Sequence, residues 1–176
     1  MNPLSADGTV FIVDDDASFL KSVSRLLQAE GYRVQAFESA KAFLDQLGPG
    51  MSGCVLADLR MPGMNGLELQ ETLVKSANPL PVVFLSAQGD IPTTVQAMRR
   101  GAEDFLTKLS PKEKLLDAIQ RALARGAQER TERVRLAELR GRFGALTPRE
   151  LEVLERVVQG KLNKQSDATA TGAISG

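Results

Sequence analysis

CVLADLRMPGMNG, residues 54–66, is an apolar run that ends on a carboxylate, Asp58, and breaks at once into a Met-Pro-Gly turn. A short, unbroken apolar run bounded by turn residues reads as a strand buried on both faces. Four more short, largely apolar runs flank it: TVFIV ending at Val13, RVQAF ending at Phe37, PVVFLS ending at Ser86 and EDFLT ending at Thr107. Amphipathic stretches fall between them. That alternation predicts an α/β fold, a five-stranded parallel sheet wrapped by helices.

Each intervening stretch carries helix signals. Residues 17–30 place Phe19, Val23, Leu26 and Leu27 on one face, and residues 39–47 place Phe43, Leu44 and Leu47 on one face behind Ser39 as N-cap. The third helix, 66–75, follows the Pro-Gly turn, whose geometry accounts for Gly63 and Gly66. The fourth, 92–100, begins on Pro92 and is closed by Gly101. Ahead of the fifth, Ser110, Pro111 and Glu113 make a capping-box pattern, followed by Leu115, Leu116, Ile119 and Leu123 at helical spacing. Helix formers continue to about Arg142, interrupted at Gly126, so this helix is expected to run on as a linker arm with a short seam of Val134, Leu136 and Leu139.

Thr147, Pro148 and Glu150 then open a further helix, whose apolar residues Leu151, Val153, Leu154, Val157 and Val158 precede a closing Gly160. The last residues, SDATATGAISG, are small and polar and predict a disordered tail. The expected organisation is therefore an α/β domain over 8–125, a helical linker over 126–143, a helical fragment over 144–165 and a tail over 166–176.

Composition narrows the chemistry. With 176 residues, 43% of them apolar and 25% charged, the chain can bury a sizeable core, and no apolar run approaches the roughly 20 residues of a membrane helix. A single cysteine, Cys54, excludes a disulfide framework and points to a reducing, cytoplasmic setting. There is no histidine, which removes imidazole acid–base catalysis and histidine-ligated metals. Residues 1–124 carry 12 basic and 15 acidic side chains, net −3, and residues 125–176 carry 10 and 7, net +3. That asymmetry is too weak to mark a nucleic-acid stripe.

In an open parallel sheet the ligand site lies at the carboxyl ends of the strands. Asp14, Asp15 and Asp16 follow the first strand, Asp58 the third, Ser86 ends the fourth and Lys108 follows the fifth. Clustered carboxylates repel unless a cation sits among them, and magnesium, which prefers oxygen ligands, suits one or two carboxylates plus phosphate oxygens. Phosphoryl transfer then assigns roles: Asp58 as nucleophile forming an acyl phosphate, Lys108 pairing with one phosphoryl oxygen and the Ser86 hydroxyl hydrogen-bonding another. An aspartyl-nucleophile phosphohydrolase would use similar groups, but it needs a second acid two residues beyond the nucleophile, where Arg60 stands. The expectation is a phosphoacceptor rather than an enzyme.

VDDD at 13–16, CVLADLRMPGMNG at 54–66 and FLSAQGDIPTTVQAMRRGAEDFLTK at 84–108 together resemble the receiver domain of bacterial two-component response regulators, over roughly residues 8–125. The resemblance implies a flavodoxin-like (βα)5 fold, magnesium, a sensor histidine kinase as donor, and Asp58 as phosphoacceptor. It also implies Asp15 as a direct metal ligand beside Asp58, Asp14 acting through water and Arg60 through its backbone carbonyl. Ser86 matches the hydroxyl residue that moves onto the phosphoryl group, and Phe105 the aromatic that swings inward after it. The face of the fourth helix and fifth strand is where related receivers form homodimers. Leu109 departs from the family, which usually has proline after the lysine, often through a cis bond; a cis peptide without proline costs about 3 kcal/mol, which favours trans here.

LTPRELEVLERVVQGKLNKQ, 146–165, resembles the opening of a LuxR-type (FixJ/NarL-like) helix-turn-helix domain, covering its first helix and the start of its second. That family reads DNA with a later recognition helix. No such helix is legible after Gln165, so DNA binding is expected only where the domain is complete. Two outputs stay open: a transcriptional regulator cut short, or a stand-alone receiver acting as adaptor or phosphate sink.

Overall fold

The computed structural model describes the backbone of residues 8–170 and the side chains of residues 8–160. The five apolar runs form β1 (Thr9–Val13), β2 (Arg33–Phe37), β3 (Gly53–Ala57), β4 (Val82–Ser86) and β5 (Asp104–Thr107). Between them lie α1 (Ala17–Ala29), α2 (Ala40–Gln46), α3 (Gly66–Lys75) and α4 (Ile91–Arg99), and after them α5 (Lys112–Gly144) and α6 (Pro148–Ala170).

All strand pairs are parallel, in the order β2-β1-β3-β4-β5. The winding reverses between β1 and β3, so a crevice opens at the carboxyl ends of those two strands. Their register pairs Val13 with Ala57, which sets the next residues, Asp14 and Asp58, side by side. The Asp58 amide extends the ladder by donating to the Val13 carbonyl at 2.9 Å.

The three central strands, β1, β3 and β4, are almost wholly apolar because both faces are covered, whereas the edge strands β2 and β5 carry Arg33, Gln35 and Asp104. Phe11, Val13, Val55, Ala57, Val82 and Phe84 point to one side, against Phe43 of α2, Leu69 and Leu73 of α3 and Ala97 of α4. Val10, Ile12, Cys54, Leu56, Val83 and Leu85 alternate to the other, against Leu20, Val23 and Leu27 of α1 and Leu115, Ile119 and Leu123 of α5. Cys54 is fully enclosed, and burial pushes its thiol pKa up to about 12.

Local capping sets where the helices begin. Ser39 caps α2 as its sequence predicts, accepting from the Ala42 amide. Asp16 caps α1 through the Ser18 and Phe19 amides. Asn65 and Glu68 form a reciprocal capping box on α3. Asp90 caps α4 through Thr93, so that helix starts at Ile91, one residue before Pro92. The Ser110 hydroxyl does not follow the capping pattern: it accepts from the Thr107 amide at 3.2 Å, and α5 starts at Lys112.

Two glycines act differently from expectation. Gly63 has φ +79° and serves the turn, but Gly66 is a close-packing residue: a β-carbon there would sit 2.4 Å from the Asp58 carbonyl oxygen. Gly126 does not interrupt α5; a β-carbon there would sit 2.9 Å from the Gly53 carbonyl, so its small size lets the helix pass the start of β3.

The described chain divides into two compact units at Thr131. In the second, Thr147 and Glu150 make the expected capping box, with the Thr147 amide donating to Glu150 Oε2 at 2.7 Å. Val134, Leu136, Leu139 and Phe143 on α5 and Leu151, Val153, Val157 and Val158 on α6 are exposed. α6 runs through Gly160 to Ala170, so residues 166–170 are helical backbone rather than disordered tail. A glycine costs a helix interior only about 1 kcal/mol relative to alanine and need not end it. The expected disorder of residues 171–176 lies outside the described residues. Among the described residues, no helix is long and apolar enough to cross a membrane.

Candidate functional site

β1 and β3 deliver their acids to the crevice from buried backbone. Asp14 is 1% exposed and Asp58 is 8% exposed, while Asp15 faces solvent. One carboxylate oxygen from each of Asp14, Asp15 and Asp58 lies within 4.8 Å of the other two. This is a hard, all-oxygen donor set of the kind that suits magnesium. Asp16 stands apart from the trio, its carboxylate committed to the first turn of α1 and held below the usual carboxylate range by the Phe19 and Ser18 hydrogen bonds.

Lys108 reaches the acids from the end of β5. Its Nζ lies 2.5 Å from Asp14 Oδ2 and 3.5 Å from Asp58 Oδ2, with the side chain 16% exposed. The Lys108 amide donates to the Ser86 carbonyl at 2.9 Å, which continues the β4–β5 ladder and fixes the root of the side chain. The Lys108–Leu109 peptide is trans, and Leu109 projects into solvent, 92% exposed.

Electrostatics mark Asp58 out. Burial, and then the neighbouring Asp14 carboxylate, push its pKa upward; Lys108 and the Arg60 and Leu59 amides oppose that shift without cancelling it. Burial alone would lower the Lys108 pKa, but the hydrogen bond and charge of Asp14, followed by the charge of Asp58, raise it, so the ammonium is the counter-charge of this cluster. Arg60, two residues beyond Asp58, is exposed.

Ser86 is 2% exposed, and its hydroxyl donates to the Gln88 carbonyl at 2.9 Å, within its own loop. Phe105 is half-buried, its ring centroid 6.0 Å from that of Phe84. The ring lies so near Gly89 that a β-carbon there would be 2.6 Å from Phe105 Cε1. The fold thus gathers Asp14, Asp15, Asp58 and Lys108 at one point, with Ser86 and Phe105 on the strands beside it. Phe19 of α1 joins them unannounced: its ring lies under the Lys108 ammonium, 4.1 Å from Nζ to centroid. The helical pattern assigns Phe19 to the core, and only the fold reveals which charge it meets.

Residues 10–120 match the family model of the response regulator receiver domain. The chain is 41% identical over 160 residues to the response regulator protein TmoT of Ectopseudomonas mendocina, covering 91% of this chain and 73% of that one. It is 36% identical over 162 residues to the transcriptional regulatory protein FixJ of Bradyrhizobium diazoefficiens, covering 92% and 78%. Among solved structures, that of the response regulator StyR superimposes with a TM-score of 0.78 at 42% identity, covering 93% of this chain and 83% of that one.

Proposed function

The chain belongs to the response regulator receiver family, and on that premise we propose that Asp58 accepts a phosphoryl group from a sensor histidine kinase and thereby switches the adjoining surface to control transcription. The observation that carries this reading is the convergence of Asp14, Asp15 and Asp58 with the half-buried ammonium of Lys108 at the point where the winding of the sheet reverses.

A carboxylate oxygen of Asp58 attacks the phosphorus of the donor phosphohistidine; the O–P bond forms as the P–N bond breaks, and the imidazole leaves. Lys108 follows one phosphoryl oxygen out of the cluster, and Ser86 exchanges the Gln88 carbonyl for another. Phe105, packed against Phe84 and Gly89, turns inward to fill the space that loop leaves. Asp15, Asp58 and the Arg60 carbonyl would hold magnesium, with Asp14 reaching it through water. The metal supplies positive charge for the transferred oxygens.

On the output side, Ile91, Val95 and Met98 form an exposed apolar stripe along α4, at spacings of four and three. The acids of the neighbouring β5 edge are already paired within the chain: Asp104 with Arg121, and Glu103 with Arg121 and Arg125. A homodimer through α4 and β5 would cover that stripe. DNA binding belongs to a complete helix-turn-helix, in which α6 stands in the place of the first helix.

The test is labelling by a small phosphodonor. With magnesium and acetyl phosphate, the chain gains one phosphoryl group; chelating the metal or making Asp58→Asn abolishes it. Labelling that persists in Asp58→Asn refutes the assignment.

A further inference from the structure

Lys108 has a long way to reach. In the strand order, β4 and β3 stand between β5 and β1, and with strands about 4.8 Å apart the root of Lys108 lies roughly 10 Å from the β3 axis. Its ammonium nevertheless meets both Asp14 and Asp58. A lysine stem has four rotatable carbons and loses much of their freedom when it is held in one pose. Its neighbour Leu109 is 92% exposed and contributes no packing that would fix the turn. The carboxylates attract the head from one side. What else the ammonium touches decides whether it is held or merely drawn near.

It touches an aromatic ring. Phe19 is the third residue of α1, its amide tied to the Asp16 carboxylate that caps the helix, so its backbone is anchored five residues after Asp14. The ring is half-buried, packed against the core cluster that α1 and α5 form with the sheet. Its face carries the negative part of the aromatic quadrupole, and an ammonium 4.1 Å from the centroid is well inside the distance at which that attraction acts.

We infer that Phe19 is a positioning residue for the phosphoryl-transfer site, holding the Lys108 ammonium against the acidic cluster by a cation–π contact. The inference rests on the reading of Asp58 and Lys108 given above and deepens it: the Lys108 ammonium is in contact with an arene as well as two carboxylates. Phe19 touches neither donor nor phosphoryl group and acts only through Lys108. A leucine fills nearly the same space without a quadrupole, whereas a tryptophan supplies a stronger one, so the two substitutions separate packing from electrostatics.

Phosphorylation of the full chain by acetyl phosphate at saturating magnesium tests this. Phe19→Leu lowers the labelling rate about three- to tenfold with little change in the donor concentration at half-maximal rate, and Phe19→Trp retains the wild-type rate. In a Lys108→Ala background, Phe19→Leu has no further effect, because the contact it removes is already gone. The ε-methylene protons of Lys108, lying over the ring, resonate upfield of the other lysines and lose that shift in Phe19→Leu. A Phe19→Leu protein that labels at the wild-type rate, or is slowed equally with and without Lys108, overturns the inference. An ε-methylene resonance without an upfield shift overturns it also, and does so without recourse to labelling. Failure of the Asp58 reading shows separately, as wild-type protein that does not label or Asp58→Asn protein that does.

Discussion

Replacing Gly66 by alanine tests how the phosphoacceptor is seated. A methyl group there would lie 2.4 Å from the Asp58 carbonyl oxygen, 2.9 Å from Phe84 Cε1 and 3.0 Å from the Leu59 α-carbon. Two of those three atoms are backbone and cannot rotate aside, so the first turn of α3 must move away from the end of β3. Overpacking of this kind costs about 1–3 kcal/mol, and the short contact with the Asp58 carbonyl places this site at the upper end. The better helix propensity of alanine returns at most about 1 kcal/mol. The net loss is about 2 kcal/mol, or roughly 5 °C in Tm for a chain of this size. Thermal unfolding followed by far-ultraviolet circular dichroism reads it, with Gly50→Ala as control, since a β-carbon there meets nothing within 4 Å. The displaced Asp58 backbone also slows phosphoryl labelling. Gly66→Ala protein that melts at or above the wild-type temperature would refute the close-approach reasoning and return Gly66 to an ordinary turn residue.

Two further outcomes follow from buried groups. Cys54 is fully enclosed with its thiol pKa at about 12, so iodoacetamide at mildly alkaline pH leaves the native protein unmodified and alkylates one thiol once the chain is denatured; rapid native labelling would contradict the packing of β3. Gln70, 2% exposed, donates to the Ala97 carbonyl at 3.1 Å and leaves its own carbonyl oxygen unpaired, while Ala97 also accepts from the Ala102 amide at 3.1 Å. Gln70→Leu removes a buried unpaired acceptor and strands no partner, so urea unfolding shows a change within about 1 kcal/mol of zero; a loss above about 2 kcal/mol would mean that this amide clamps α4.

Much of this is legible in the residues because the doubly covered central strands are written as nearly unbroken apolar runs. Each run ends where the crevice begins, so Asp14, Asp58, Ser86 and Lys108 could be found as the residues at strand ends. What was not legible depends on contacts between distant elements. Gly66 and Gly126 read as turn and interruption, because nothing local says that the Asp58 and Gly53 carbonyls approach them. Ser110 fits a capping pattern, yet its hydroxyl is claimed by Thr107. Phe19 fits the apolar stripe of α1, and its meeting with Lys108 exists only once α1 and the end of β5 lie against the same acids. The extent of α6 is not legible either, because the apolar periodicity ends at Val158 while the helical backbone continues to Ala170.

A phosphoryl group carried by Asp58, and by no other carboxylate of the cluster, leaves a chemical mark at that position. Borohydride reduction of the phosphorylated protein converts an aspartyl phosphate to homoserine, which tandem mass spectrometry of the peptide spanning CVLADLRMPGMNG can place. Homoserine is expected at position 58 alone, dependent on magnesium during labelling. Homoserine at position 14 or 15 with Asp58 intact would contradict it.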